Sequence, residues 1–143
     1  AKPAVNTAKV GTRFVVAGQT YKVTKAGKEA SFVQAKKNAK RIVIPTTVKR
    51  KGVTYKVTSV AAKAVKNNKK VRSVVIGANV KRINNNAFYK CPALKTVTIK
   101  TTKLTKKTAS KKVFKGVNKK MVIKVPKKVK KAYMKMFKGL KVR

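Results

Sequence analysis

The apolar positions of this chain recur at a fixed interval. Val57-Thr58-Ser59-Val60 is echoed by Val80-Lys81-Arg82-Ile83, Ala64-Val65 by Ala87-Phe88, Asn68 by Cys91, and Val71 by Leu94. Val74-Val75-Ile76 returns as Val97-Thr98-Ile99, and every pair is 23 positions apart. An apolar skeleton repeated at one interval predicts a solenoid whose coils stack on one another. The period falls in the range of leucine-rich repeats, with one strand and a helical or irregular return per coil. The expected class is therefore an α/β repeat, a right-handed leucine-rich-repeat-like solenoid.

The flanks of the repeat read as caps. Residues 1–12 have no periodicity and are expected to form a loose lead-in. Phe14-Val15-Val16 and Tyr21-Lys22-Val23 flank Ala17-Gly18, a β-hairpin signal. Ala26-Gly27-Lys28 marks a second turn and Ser31-Phe32-Val33 a third short strand. Arg41-Ile42-Val43-Ile44-Pro45 aligns with Ser73-Val74-Val75-Ile76-Gly77 at an offset of 32, and so supplies the first coil's strand. The residues in excess of one period fit a basic hairpin at Lys49-Arg50-Lys51-Gly52.

The third coil is degenerate: Val113-Phe114 answers Ala87-Phe88 at an offset of 26, and Val122-Ile123-Lys124-Val125 answers the strand from Thr96 to Lys100. The insertion falls in a Lys/Thr-rich loop over 101–109. From Lys127 to Lys138 the period changes: Val129, Ala132, Tyr133, Met136 and Phe137 share one face of a helix, with Gly139 as its cap. The expectation is one domain over 1–143. Within it, 1–38 form the lead-in and β-hairpin cap, 39–126 three to four coils, and 127–143 an amphipathic helical cap.

The segment Val80-Lys81-Arg82-Ile83-Asn84-Asn85-Asn86-Ala87-Phe88-Tyr89-Lys90-Cys91-Pro92-Ala93-Leu94-Lys95-Thr96-Val97-Thr98-Ile99 resembles the repeat of BspA-type leucine-rich repeat proteins. That repeat has an apolar V-x-x-I followed by A-F-x-x-C-x-x-L-x-x-I-x-I. The resemblance spans residues 39 to 137. The coil at 57–79 departs from it, with Val65 in place of the aromatic and Asn68 in place of cysteine. The resemblance implies an exported bacterial or protist protein, surface-associated or secreted, that adheres to or binds host proteins, glycans or other cells. It does not imply an enzyme.

Charge changes the picture, because near absence of acids is not a general trait of that family. The 143 residues carry 41 Lys plus Arg against one acid, Glu29, for a formal charge of +40, while 43 % are hydrophobic. Such a chain folds against its own repulsion and should associate with anions: nucleic acid, an anionic wall polymer or glycan, polyphosphate, or an acidic membrane surface. Lysine dominates, and a hydrated point charge suits binding by charge density better than sequence reading.

No apolar run approaches 18 residues, so no transmembrane helix is expected. The start at Ala1-Lys2-Pro3-Ala4, without Met, fits an export product whose signal peptide has been removed as well as it fits a chain trimmed from a longer one.

Catalysis finds few of its usual groups. Histidine and aspartate are absent and Glu29 stands alone, which excludes paired-carboxylate chemistry and the common general bases. One cysteine and one glutamate assemble neither a metal site nor a disulfide framework. Cys91 is expected to be buried, at the repeat position that Asn68 occupies one coil earlier. No cofactor is expected.

The lysines crowd the turns and returns. The candidate polyanion-binding residues are Lys49, Arg50, Lys51, Lys69, Lys70, Arg72, Lys81, Arg82, Lys106, Lys107, Lys119, Lys120, Lys127, Lys128, Lys130 and Lys131. On the strand side, alternation turns Val74, Ile76, Val97 and Ile99 inward and leaves Ser73, Val75, Thr96, Thr98, Lys100 and Lys124 as an outward contact face. Aromatics are few and sit mostly at core-like positions, which argues against a single-strand stacking platform.

The expected function is a non-enzymatic, extracellular or cell-surface module anchored to an anionic polymer such as wall teichoic acid, acidic glycan or extracellular nucleic acid. The alternative is a protein-binding adhesin or self-assembling subunit that uses the strand face and the N-terminal hairpin. A third reading, weaker on the same residues, places the terminal helix on a membrane surface.

Overall fold

The computed structural model describes residues 8–118 and 120–143, and nearly all of its regular structure is β-strand. In chain order the strands are β1 (Arg13–Val16), β2 (Gln19–Lys25), β3 (Glu29–Gln34), β4 (Arg41–Ile44), β5 (Thr47–Arg50), β6 (Val53–Val60), β7 (Val65–Lys66) and β8 (Ser73–Ile76). They continue with β9 (Arg82–Ile83), β10 (Phe88–Tyr89), β11 (Thr96–Ile99), β12 (Phe114–Lys115) and β13 (Val122–Lys124). Helix α1 (Lys130–Met136) and β14 (Lys141–Val142) close the chain.

Three sheets wrap the core. β4, β8, β11, β13 and β14 form a five-stranded parallel sheet, and β7, β10 and β12 a three-stranded parallel one. The third is mixed, with the order β1-β2-β3-β6-β5 and β9 added on β6. Each coil visits the faces in turn, as Val57–Val60, Val65–Lys66 and Ser73–Ile76 do.

The register is the one the repeat predicts. Ser73 pairs with Arg41 and Thr96, and Thr96 with Val122, which reproduces the offsets of 32, 23 and 26. The alternation on β8 and β11 places Val74, Ile76, Val97 and Ile99 in the core. Stacked coils therefore align like with like: Ile42, Val74, Val97 and Ile123 form one buried column, and Ile44, Ile76 and Ile99 another. On the neighbouring face Val65, Phe88 and Phe114 are in register, and the Phe88 and Phe114 rings stack at 5.4 Å and 12°.

Three expectations need correction. The class is a β-solenoid rather than α/β. In the two regular coils only four to six residues separate one strand from the next, too few to nucleate a helix, and they fold into turns around two-residue strands. The C-terminal helix is also shorter than its apolar stripe. A 3₁₀ turn at Lys127–Val129 precedes seven α-helical residues, and β14 follows as an edge strand on β13. Finally, residues 8–12 are not loose: the Ala8 N–H donates to the Tyr55 hydroxyl at 3.3 Å and the Gly11 N–H to the Val23 carbonyl at 2.8 Å. Residues 1–7 of the expected lead-in lie outside the described residues.

Both hairpin readings hold. β1 and β2 join through Ala17-Gly18, and β5 and β6 through Lys51-Gly52, each pair with positive φ at both turn residues. β3 then pairs in parallel with β6, so the cap continues the first coil.

Gly77 shows how tightly adjacent coils approach. A Cβ there would lie 2.7 Å from the Ile44 carbonyl oxygen and 2.8 Å from the Pro45 carbonyl carbon, both backbone atoms. Gly77→Ala is therefore expected to force the coils apart and cost about 1–3 kcal/mol of stability, read from the midpoint of urea unfolding.

Candidate cationic interface

The cations do not spread evenly, because register stacks some of them. The Arg72 N–H donates to the Lys40 carbonyl at 2.8 Å, and the Lys95 N–H donates to the Arg72 carbonyl at 2.9 Å. These bonds place Lys40, Arg72 and Lys95 on consecutive coils as a basic ridge, with neighbouring strands about 4.8 Å apart. Lys69 and Lys70 lie exposed in the same turn region as Arg72. The return face carries a second set: Lys66, Tyr89 and Lys115 are in register, and the Lys63 and Lys90 ammonium groups sit 5.7 Å and 5.3 Å from the centre of the Tyr89 ring.

A third set lines a recess. Arg82 on β9 faces the loop that carries Lys106 and Lys107, and the Ile83 N–H bonds the Thr108 carbonyl at 2.8 Å across the gap. The space between them, about 460 Å³, is lined by Arg82, Lys106, Lys107 and Lys112 with Asn84, Asn85, Thr108 and Ser110. At Asn85 and Lys112 it meets a second recess of about 480 Å³ that includes Lys111 and Lys115. On its other flank Lys106 also borders a recess with Lys131 and Lys135 of α1. No acidic side chain lines any of these, and Glu29, the one acid of the sequence, lies on β3 in the cap.

The loop that presents Lys106 and Lys107 is fastened from below. Thr101, fully buried, donates through its hydroxyl to the Val80 carbonyl at 2.6 Å and accepts from the Lys103 N–H at 3.1 Å. The Tyr133 hydroxyl of α1 donates to the Thr101 carbonyl at 2.8 Å and accepts from the Leu104 N–H at 3.2 Å. Farther along, the Thr108 hydroxyl closes a turn with the Thr105 N–H at 2.8 Å.

Tyr133→Phe removes both anchoring bonds of that phenol and is expected to cost about 1–3 kcal/mol, measured by denaturant unfolding. Burial raises the Tyr133 pKa above its ordinary 10.0, opposed by the Leu104 N–H. The stability gained by holding the phenol neutral is complete below the unfolded value and is lost as pH climbs through the folded one. Tyr133→Phe should therefore lessen the alkaline loss.

The sequence candidates fall at separate places. Arg82, Lys106 and Lys107 converge on one recess, with Lys131 at its flank. Lys49, Arg50 and Lys51 belong to the β5–β6 hairpin at the edge of the mixed sheet. Lys81 precedes β9, and Lys120 precedes β13 with its N–H on the Asn118 side chain at 2.8 Å. Lys119 lies outside the described residues. Lys127, Lys128 and Lys130 are exposed at the start of the terminal helical segment. Tyr133, Met136 and Phe137 turn inward to the core, while Ala132 and Met134 of the same helix are exposed.

The strand face is laid out as alternation requires. Ser73, Val75, Thr96 and Thr98 are half-buried and Lys100 and Lys124 exposed. The outward columns are Arg41, Ser73, Thr96 and Val122, and beside it Val43, Val75, Thr98 and Lys124. Sequence reasoning missed Lys112 as a recess residue, and also Lys40 in the ridge. Their period is legible, but their neighbours across coils become visible only in register.

Cys91 is buried as expected, with its Sγ 3.5 Å from the Val65 carbonyl. Asn68, one coil earlier, spans coils at the same place: its Nδ2 donates to the Ala39 carbonyl at 3.1 Å, and its Oδ1 accepts from the Lys70 and Val71 N–H groups. Burial pushes the Cys91 thiol pKa up, which disfavours the reactive thiolate.

These stacked parallel coils define a leucine-rich-repeat-like β-solenoid. The BspA-type leucine-rich repeat model matches residues 28–143 in six copies, and the chain belongs to that family. Among solved structures, it is similar to a leucine-rich cell surface protein from Faecalibacterium prausnitzii, at 23 % identity and a TM-score of 0.56 over 81 % of this chain. It spans 37 % of that protein's length. It is also similar to a leucine-rich repeat protein from Bacteroides capillosus, at 19 % identity and a TM-score of 0.56, covering 96 % of this chain and 99 % of the other. A comparison with curated protein sequences gave no significant match.

Proposed function

We propose that this protein is a non-enzymatic surface module that attaches to anionic polymers outside the cell through its stacked lysines. The observation that carries the reading is the arrangement of the +40 charge: register places cations beside cations on consecutive coils, as with Lys40, Arg72 and Lys95. Like charges held at strand spacing destabilise the fold unless counterions gather there. A polymer of repeated negative charge releases those counterions and gains the entropy. The extracellular setting is supported by the family and by the similar protein described as a cell surface protein.

A second reading has its own observation. The outward column Val43, Val75 and Thr98 is uncharged up to Lys124 at its end, and Val43 is 44 % exposed. Such a face suits a protein partner. The two readings rank variants oppositely. Under polymer attachment, removing the charges of Lys69, Lys70 and Lys120 weakens binding to duplex DNA or teichoic acid, while Thr98→Glu changes it little. A stronger loss from Thr98→Glu, measured by calorimetric titration at low salt, would transfer the function to the strand face.

A further inference from the structure

We infer that the recess between β9 and the loop carrying Lys106 and Lys107 is a phosphate subsite, at which a linear phosphate chain is gripped rather than merely attracted. The inference rests on the polymer-attachment reading and names the chemistry of one place on that surface.

Many of the other cations stand on exposed turns, and Lys36, Lys37, Lys63 and Lys66 line a smaller space of about 340 Å³ that holds no arginine. In the recess beside β9 four cations, Arg82, Lys106, Lys107 and Lys112, line one concavity of about 460 Å³. Concavity with low-dielectric walls concentrates the field of a single sign. Arg82 brings a planar guanidinium, whose fork matches two oxygens of a tetrahedral phosphate, and the lysines bring point charges. The Ser110 hydroxyl accepts from the Lys112 N–H at 3.3 Å and keeps its own proton to donate. Asn85 adds an amide to the lining.

The walls are fixed before any ligand arrives. β9 is joined to the loop by the bond from Ile83 to Thr108, the Asn84 side chain donates to the Val60 carbonyl at 2.8 Å, and Thr101 and Tyr133 anchor the loop's base. Preorganisation lowers the entropy lost when the anion binds. The recess also has a continuation, because Asn85 and Lys112 are shared with the space lined by Lys111 and Lys115. A chain of linked phosphates therefore fits better than an isolated one.

The test compares two sets of three charge removals. One is Arg82→Gln, Lys106→Gln and Lys107→Gln in the recess. The other is Lys40→Gln, Lys70→Gln and Lys95→Gln on exposed convex turns that line none of these recesses, with the same change in net charge. A Lys106→Gln, Lys107→Gln double variant guards against any effect of Arg82 on folding, and all are matched by thermal melting.

Binding of sodium triphosphate, orthophosphate and hyaluronate is followed by calorimetry. The expected result is a loss of about tenfold or more for triphosphate in the recess variants, as charged hydrogen bonds are removed, and a clearly smaller loss in the convex set. Orthophosphate should bind more weakly than triphosphate, and hyaluronate, which carries carboxylates, should weaken equally in both sets. Equal losses of triphosphate in the two sets would overturn the subsite and leave charge-density attachment standing. A selective recess effect on hyaluronate as well would overturn the assignment to phosphate. Failure of the unmodified protein to bind any polyanion would overturn both.

Discussion

Phe88→Ala should remove about 3–5 kcal/mol of stability, the usual range for a phenylalanine deleted from a core that cannot collapse around the gap. Phe88 is fully buried, in register with Val65 on one side and Phe114 on the other. Its ring stacks on Phe114, which in turn packs on Phe137 at 5.9 Å. The loss therefore touches two coils and the terminal helical segment together. Domains of this kind are held by roughly 5–15 kcal/mol, and repulsion among lysines narrows that margin. Urea unfolding checks the figure. Added salt should restore part of the lost stability in both proteins by screening, since the Debye length is about 10 Å at 0.1 M.

Affinity for duplex DNA or another polyanion should fall about a thousandfold or more between 50 and 200 mM salt. That is the counterion-release expectation for a surface neutralising about six or more phosphates. The ridge of Lys40, Arg72 and Lys95 together with the recess cations Arg82, Lys106 and Lys107 reaches that number without the hairpin or helix lysines. A slope this steep belongs to charge density. A face that recognises its partner through Thr98 and Val75 would show a shallow one.

What was legible in the sequence was what repeats. Val74, Ile76, Val97 and Ile99 announce their burial because two-residue alternation and a 23-residue interval coincide at them. The 32 and 26 offsets are legible for the same reason and reappear as strand register. Short elements leave less. Val65 and Phe88 repeat at 23 and Phe114 follows at 26, so their stacking is legible, but Val65–Lys66 and Phe88–Tyr89 are too short for two-residue alternation to mark them as strands, and Lys141–Val142 has no echo in the repeat. The seven-residue helix was overread because its apolar stripe continues through the 3₁₀ turn and into Phe137.

The candidate site was legible in its composition and not in its arrangement. Lys106-Lys107 and Lys81-Arg82 stand out as basic pairs, yet nothing in their spacing says that Arg82, Lys106 and Lys107 share a recess while Lys49 lies on a hairpin at a sheet edge. That depends on the loop over 101–109, which reads as a polar insertion. Thr101 and Leu104 are in fact buried, held by the Tyr133 hydroxyl about thirty residues later. A buried threonine in a Lys/Thr-rich run has no sequence signature, because its partner is a backbone carbonyl on another coil.

The most direct test of polymer attachment is a binding panel of duplex DNA, teichoic acid, a heparin-like glycan, polyphosphate and a neutral glycan, each at low and at high salt. The account predicts tight binding to every polyanion at low salt, loss of that binding at high salt, and no binding to the neutral glycan. Binding of none of the polyanions at low salt, or a ligand held undiminished at high salt, would contradict it.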